Sequence, residues 1–315
     1  MRVALLFIDG VGVGARDPDY NPLARGDFLL SQFEDGPGTA LPGGELTSVD
    51  ATFGMAGRPQ SASNQTALLT GLPAPRLVGR HVLGYPDAPL RALLSEHSVV
   101  KRLVVGGGRA AFANAYPVAY LEALSLPHRP AAGAEFDIPP RARRRLRPSA
   151  TTAAFAAAGV PLRTLEDLRA GEGLAHDVTG RRGRDRGLGL PHRSPAEAAA
   201  VFWRIAHRMD FTLFEHFAAD EAGHARDAAA ATEALATFDA FARAVLARRP
   251  PDVRVLLTSD HGNVEDLRSR NHTRARVPLL AFPPLAGSAR PETVAEVGRL
   301  LLDEAAGHNR PPETR

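Results

Sequence analysis

Short apolar segments alternate along this chain with stretches of helical pattern, and that alternation leaves few folds open. Residues 3–8, 253–258 and 277–282 are apolar runs of strand length, and 211–217 is a further strand candidate. A strand that is buried on both faces has such a continuous run, and helices on both sides of a parallel sheet bury it. We therefore expect an α/β fold with a mostly parallel central sheet, helices on both faces and one domain over residues 1–315.

The helical segments carry recognisable start and stop signals. Ser194, Pro195 and Glu197 form a capping box with proline at the first helical position, which predicts a helix to about residue 208. A long helix is predicted from about 225 to 247, before a Pro-Pro pair that breaks it. The other predicted elements are a strand at 109–115 and helices at 61–71, 87–96, 149–158 and 292–306.

Two arginine-rich segments, 128–148 and 171–193, lack a regular pattern. Each is predicted to be either a small lid or insertion, or a solvated loop.

Acidic and imidazole side chains lie close to the ends of several predicted strands, and in an open α/β sheet ligands bind at the carboxyl ends of the strands. These side chains are Asp9, Asp220, His224, Asp260, His261 and His272. Each of them alone is an ordinary turn or surface residue. Together, three adjacent carboxylates would repel one another unless cations were bound. Asp and neutral His suit Zn²⁺ or Mn²⁺, and two such ions can hold the attacking and leaving oxygens of a phosphoryl transfer.

The nucleophile cannot be a thiol, because the chain has no cysteine. The same absence excludes Cys-ligated zinc and disulfides. Hydroxyl groups are available at the start of the predicted helix 61–71, where free N–H groups and the helix dipole favour an anion. Ser61 and Ser63 are the candidates, although either could instead be only the N-cap of that helix.

Four motifs occur in the order found in the alkaline phosphatase superfamily, and they most resemble the branch of cofactor-independent phosphoglycerate mutase and phosphopentomutase. They are Asp9-Gly10-Val11-Gly12, the stretch from Ser61 to Thr70-Gly71, Asp220 to Gly223-His224, and Thr258 to Glu265 followed by Asn271-His272-Thr273. This resemblance implies an alkaline phosphatase-like fold with two divalent metal ions.

The same resemblance assigns the ligands and the nucleophile. One metal would be held by Asp220, His224 and His272, and the other by Asp9, Asp260 and His261. Counting back from Thr70-Gly71, as in alkaline phosphatase, gives Ser61 as the nucleophile, whereas the shorter spacing of the mutases gives Ser63. Ser61 is preferred because the downstream Thr66-Ala67 also matches.

The leading functional hypothesis is a two-metal phosphohydrolase or phosphotransferase that acts on a small phosphorylated substrate. The alternative is a phosphomutase with a reduced cap, because residues 72–194 must supply core elements and leave little for the large inserted domain of the mutases. In that case one of the arginine clusters, within 141–147 or 181–186, would bind the non-reacting end of an anionic substrate.

A third, less favoured hypothesis is an anion- or nucleic-acid-binding protein with a relic metal site. Aromatic residues make up only 6% of the chain, and they do not alternate with the arginine clusters as a stacking surface requires. We therefore expect no nucleic-acid partner. The sequence has no apolar stretch of about 18 residues and no recognisable signal segment, so we expect no membrane association and a cytoplasmic location.

Overall fold

A computed structural model describes residues 1–38, 41–287 and 290–308. The strands are β1 (Arg2–Ile8), β2 (Gln32–Phe33), β3 (Gly36–Pro37), β4 (Glu45–Val49), β5 (Ala110–Phe112), β6 (Ala115–Tyr116), β7 (Arg163–Thr164), β8 (Phe211–His216), β9 (Val253–Thr258) and β10 (Val277–Phe282). The α-helices are α1 (Ser61–Thr70), α2 (Ala74–Val78), α3 (Ala88–His97), α4 (Val99–Val105), α5 (Val118–Ala123), α6 (Pro140–Arg143), α7 (Ala150–Ala157), α8 (Leu165–Arg169), α9 (Arg181–Asp185), α10 (Pro195–Ala206), α11 (Ala218–Ala225), α12 (Ala228–Ala247) and α13 (Val294–His308). A short 3₁₀ helix spans Pro22–Arg25.

The central sheet has six strands in the order β4–β10–β9–β1–β8–β5. Strand β1 is parallel to both of its neighbours, so that Val3 lies opposite Phe211 on β8 and Arg254 on β9. Strand β10 is antiparallel to β9 and to β4. The prediction of a mostly parallel sheet is confirmed. The exception, β10, follows β9 through an irregular loop and not through the helical crossover that a parallel neighbour needs.

The sheet is covered by helices on both faces, as predicted. Along β1, Val3, Leu5 and Phe7 point into a core formed with α1, α3, α4, α7 and α13. The alternate side chains, Leu6 and Ile8, point into a second core with α10, α11 and α12. This alternation is the period-two geometry of a strand, and burial on both faces explains why its sequence is apolar throughout.

The long helix predicted from about 225 to 247 is present as α12, which begins three residues later, but the sequence did not predict the separate helix α11 that precedes it. Arg226 adopts a left-handed conformation (φ 57°, ψ 35°) that ends α11. The carboxylate of Asp227 then accepts hydrogen bonds from the N–H groups of Ala229 and Ala230 and caps α12. The predicted strand 109–115 is also shorter than expected, since β5 ends at Phe112.

The two segments predicted as lids or loops contain only the short helices α6 and α9. In the segment 171–193, Arg181 forms an ion pair with Glu233, and Arg182 forms one with Glu221. These pairs attach the segment to α11 and α12. Within the described ranges, the structure contains no helix with the length and apolar character needed to cross a membrane.

Candidate metal centre

The sheet brings all six predicted ligand residues to one edge. Asp9 directly follows β1, and Asp260 and His261 follow the adjacent strand β9. Asp220 and His224 lie four residues apart on α11, just after β8. His272 comes from the loop between β9 and β10. Since β9, β1 and β8 are adjacent and parallel, their carboxyl ends meet at the centre of the sheet, where α/β proteins place their ligands.

The first group of ligands contains Asp220, His224 and His272. Nε2 of His224 lies 3.2 Å from Oδ2 of Asp220 and 3.1 Å from Nε2 of His272. Nδ1 of His224 lies 2.6 Å from the carbonyl oxygen of Arg270, and Nδ1 of His272 lies 2.9 Å from that of Pro59. A ring that donates from Nδ1 to a carbonyl presents the lone pair of Nε2 to a metal, as metal-ligating histidines do.

The second group contains Asp9, Asp260 and His261, all of which are buried. Nε2 of His261 lies 3.3 Å from Oδ1 of Asp9 and 3.5 Å from Oδ2 of Asp260. Oδ1 of Asp9 is shielded from solvent and has no hydrogen-bond partner among the described residues. In each group, one donor atom from every residue lies within 4.8 Å of the others. Both groups therefore have a donor set and a spacing that fit a divalent cation.

The two groups are adjacent, because the rings of His261 and His272 stack with their centroids 3.7 Å apart. Ser61 lies at the same place. It is the first residue of α1, and its Oγ lies 2.9 Å from Nε2 of His261. Ser63 is elsewhere: its buried hydroxyl donates to the carbonyl of Gln60 and accepts from the N–H of Val82.

Burial controls the protonation of the second group. It raises the pKa of Asp9 well above its usual range, and the neighbouring carboxylates of Asp260 and Asp220 raise it further. Burial and the charge of Asp220 raise the pKa of Asp260 to about 7. Burial, and then the neighbouring His272, lower the pKa of His261 to about 3. The two carboxylates are costly to ionise in this buried place, and the imidazole beside them is neutral. A bound cation would stabilise the ionised carboxylates.

The first group is more open and its charges are paired. A hydrogen bond that His224 donates to the Asp220 carboxylate raises the pKa of His224 to about 9 despite partial burial. Burial alone would raise the pKa of Asp220, but its hydrogen bond with His224 and the nearby His261 lower it to about 2. Burial lowers the pKa of His272.

Several residues that sequence reasoning missed hold the ligands in place. Nε2 of Gln65 donates to Oδ2 of Asp9 at 3.2 Å and to Oδ2 of Asp260 at 3.1 Å. Nδ2 of Asn263 donates to Oδ1 of Asp220 at 2.7 Å. Both residues stand inside the motifs Ser61–Gly71 and Thr258–Glu265, but a side-chain amide carries no sequence signal of a supporting role.

Two buried glutamates were missed as well. Glu265 accepts hydrogen bonds from the N–H groups of Gly12 and Asn263, and so it joins the loops that follow β1 and β9. Glu215, on β8, is fully buried, and burial together with the charge of Asp260 raises its pKa to about 7. The sequence did not indicate Glu215, because a single acidic residue within a predicted strand does not mark a functional site.

A cavity of about 510 Å³ opens beside the first group of ligands. His224 and His272 form part of its wall, and Arg58 and Arg274 form another part. Arg274 is held in place by hydrogen bonds to the carbonyl groups of Met55 and Gly57. The entrance to the metal centre is therefore cationic, which suits an anionic ligand.

The comparisons with known proteins agree with this geometry. A family model described as Metalloenzyme superfamily matches residues 193–304. A phosphopentomutase of Methylobacterium radiotolerans is 40% identical over 82 residues, which are 25% of this chain and 20% of that protein. A phosphopentomutase of Methylobacterium sp. (strain 4-46) is 34% identical over 134 residues, 41% of this chain and 31% of that protein. The chain thus covers less than a third of the length of either relative.

The fold also has solved relatives. The alkaline phosphatase of Thermus thermophilus superimposes with a TM-score of 0.53 at 13% identity, over 98% of this chain and 92% of that chain. The PH0037 protein from Pyrococcus horikoshii gives a TM-score of 0.53 at 14% identity, over 99% and 98%. The fold is therefore alkaline phosphatase-like.

Residues 193–304 therefore match the Metalloenzyme superfamily model, and the fold is similar to that of an alkaline phosphatase of known structure. Over these shorter stretches the sequence is similar to that of phosphopentomutases.

Proposed function

We propose that this protein is a two-metal enzyme that transfers a phosphoryl group through Ser61. The observation that carries the proposal is the position of the Ser61 hydroxyl, 2.9 Å from Nε2 of His261. The carboxylate oxygens of Asp9 and Asp260 converge on the same nitrogen. A hydroxyl at the meeting point of two ligand groups is placed to act as a nucleophile.

In this proposal Asp220, His224 and His272 hold one divalent ion. Asp9, Asp260 and His261 hold the other, and both ions are Mn²⁺ or Zn²⁺. When bound, the two ions would supply positive charge to the phosphoryl oxygens and favour the alkoxide form of the serine.

The chain's own residues position the reaction. The Ser61 oxygen forms a bond to phosphorus as the bond from phosphorus to the departing ester oxygen breaks. The departing oxygen takes up the proton that Ser61 loses. An acceptor hydroxyl then takes the phosphoryl group, and its proton returns to Ser61. The N-terminus of α1 directs its dipole at the reacting oxygens. Gln65, which donates to both Asp9 and Asp260, keeps those carboxylates in place during the reaction.

The acceptor hydroxyl distinguishes two forms of this function. In a hydrolase or phosphotransferase it belongs to water or to a second molecule; in a phosphomutase it belongs to the same substrate. The similarity to phosphopentomutases favours the phosphomutase, with a pentose phosphate as substrate. The cationic cavity beside the first metal site, with Arg58 and Arg274, would then hold the rest of the anionic substrate. The cytoplasmic location and the absence of a nucleic-acid partner stay predictions from the sequence.

The test begins with metal-stripped protein to which Mn²⁺ or Zn²⁺ is restored. Hydrolysis of p-nitrophenyl phosphate reports transfer to water. Interconversion of ribose 1-phosphate and ribose 5-phosphate, followed by ³¹P NMR, reports the mutase. We expect metal-dependent turnover in at least one assay, and we expect Asp260→Asn to abolish it. Metal-independent turnover, or turnover that survives in Asp260→Asn, would overturn the proposal.

A further inference from the structure

Arg163 is a buried cation whose Nε has no hydrogen-bond partner among the described residues. It lies on β7, away from the metal centre, and its side chain is 8% exposed. Its Nε is shielded from solvent and has no hydrogen-bond partner, and the described residues form no ion pair with its guanidinium. Burial, and then repulsion from Arg129, lower the pKa of Arg163 to about 10. A buried charge of this kind is costly unless a counterion is present.

The guanidinium faces a cavity of about 190 Å³, which two further arginines, Arg129 and Arg204, also line. Arg204 donates from Nη1 to the carbonyl of Gly171, and a Cβ atom at residue 171 would lie only 2.7 Å from that nitrogen. The close approach of Arg204 therefore depends on a glycine at this position, where φ is +74°.

The two carboxylates nearby offset the charge of Arg163 only in part, although Glu172 also lines the cavity. Asp167 and Glu172 both pair with Arg129, at 3.1 Å and 2.6 Å. The other carboxylate oxygen of Asp167 accepts from the backbone N–H and the hydroxyl of Thr164 in the capping box of α8. The cavity therefore has three arginines against two carboxylates, and both carboxylates are already engaged.

We propose that this cavity is an oxyanion site, separate from the metal centre, that binds one free tetrahedral dianion of the inorganic phosphate type. A guanidinium presents its N–H groups as a fork that matches phosphate oxygens, and three such groups converge here. The volume is below the roughly 300–1,000 Å³ of pockets for larger organic ligands, which favours a free ion over a bulky ester. The proposal does not depend on the catalytic function of the metal centre.

The test measures inorganic phosphate binding to the metal-loaded protein by isothermal titration calorimetry and ³¹P NMR. We expect Arg163→Met to remove one bound phosphate per chain, or to weaken its binding at least 10-fold. Arg129→Gln should weaken the same site. Exposed Arg102, on α4 at the opposite face of the sheet, provides the matched control: Arg102→Gln should leave phosphate binding unchanged.

Thermal unfolding separates this site from a purely structural arginine. In phosphate-free buffer, Arg163→Met should have an unchanged or higher Tm than the parent protein, because it removes an unpaired buried charge. Phosphate should then raise the Tm of the parent protein more than that of the variant. A variant with a lower Tm in both buffers and with phosphate binding intact would overturn the proposal.

Phosphate bound at the metal centre can be distinguished from phosphate bound in the arginine cavity because it inhibits turnover competitively. Arg163→Met should not change that inhibition. The binding measurement stands even for a protein without turnover, so that failure of the proposed function and failure of this site give different results. Equal binding of phenyl phosphate and free phosphate at the cavity would contradict the assignment to a free ion.

Discussion

The Nε2 atoms of His224 and His272 lie 3.1 Å apart, while Nδ1 of each ring points at a backbone carbonyl, that of Arg270 and that of Pro59. When both rings are neutral and both Nδ1 atoms donate, two lone pairs face each other across the gap, and a divalent cation bound there would stabilise that arrangement. We therefore expect His224→Gln to reduce the bound divalent metal from two ions per chain to one, measured by elemental analysis after dialysis.

His97→Gln is the control for that substitution, because His97 is exposed at the end of α3 and far from both groups in sequence. It should retain two ions. Chelation should also lower the thermal stability of the parent protein, since a ligand present at 100 times its Kd stabilises the folded state by about 2.7 kcal/mol. Two ions in His224→Gln would contradict the assignment of this ligand.

The two candidate serines should respond differently to removal of the hydroxyl. Ser61→Ala should lower phosphoryl transfer on the order of 10³-fold or more, with metal content unchanged, because it removes the proposed nucleophile. Ser63→Ala should keep most of the activity but lose about 1–3 kcal/mol of stability, since the N–H of Val82 then lacks its acceptor. Turnover and urea denaturation of both variants check this, and the reverse pattern would make Ser63 the nucleophile.

Two glycines with nearly the same backbone conformation provide a further test. Gly10 has φ +75° and Gly79 has φ +72°, so alanine is strained at both positions, by about 1–2 kcal/mol. A Cβ on Gly10 would lie 2.6 Å from Oδ1 of Asp220, whereas a Cβ on Gly79 meets no atom within 4 Å. We expect both alanine variants to lose stability and only Gly10→Ala to lose metal affinity as well. A metal titration of the two variants distinguishes backbone strain, which both share, from displacement of the Asp220 carboxylate, which only Gly10→Ala would cause.

The candidate ligands could be selected from the sequence because several acidic and imidazole side chains lie near the ends of apolar strands, and because their motifs resemble those of a known family. Asp9 and Asp260 come just after the buried strands β1 and β9. The sequence did not predict the supporting residues, because the partners of Gln65 and Glu265 are close only in the folded chain. Arg163 looked like one arginine among many, since neither its burial nor its lack of a partner can be seen before folding.

Local backbone conformation was the second feature that could not be predicted from the sequence. The break between α11 and α12 depends on a left-handed Arg226, which is not a residue that normally marks such a turn. The antiparallel direction of β10 follows from the path of the loop after β9, and the apolar pattern of the strand is the same for either direction.

His176, a partly buried residue of the segment 171–193, is not a candidate ligand. Its Nδ1 lies 2.9 Å from Nδ2 of Asn114, and its ring packs against Tyr116 and Phe217. Burial, and then the neighbouring His216, lower the pKa of His176 from 6.5 to about 3. Below pH 6.5 the unfolded chain therefore binds a proton that the folded chain does not, so stability is full above this pH and falls as the pH decreases.

The size of this effect follows from the pH range between the pKa of the unfolded chain, 6.5, and that of the folded chain, about 3. Between pH 7 and pH 5, in the presence of a chelator, His176 should account for about 2 kcal/mol of the loss in unfolding free energy. His176→Gln should remove that part of the pH dependence, whereas the exposed His207→Gln should not. Urea denaturation at a series of pH values measures the difference. If the parent protein and His176→Gln had equal slopes, the segment 171–193 would not bury this imidazole in solution.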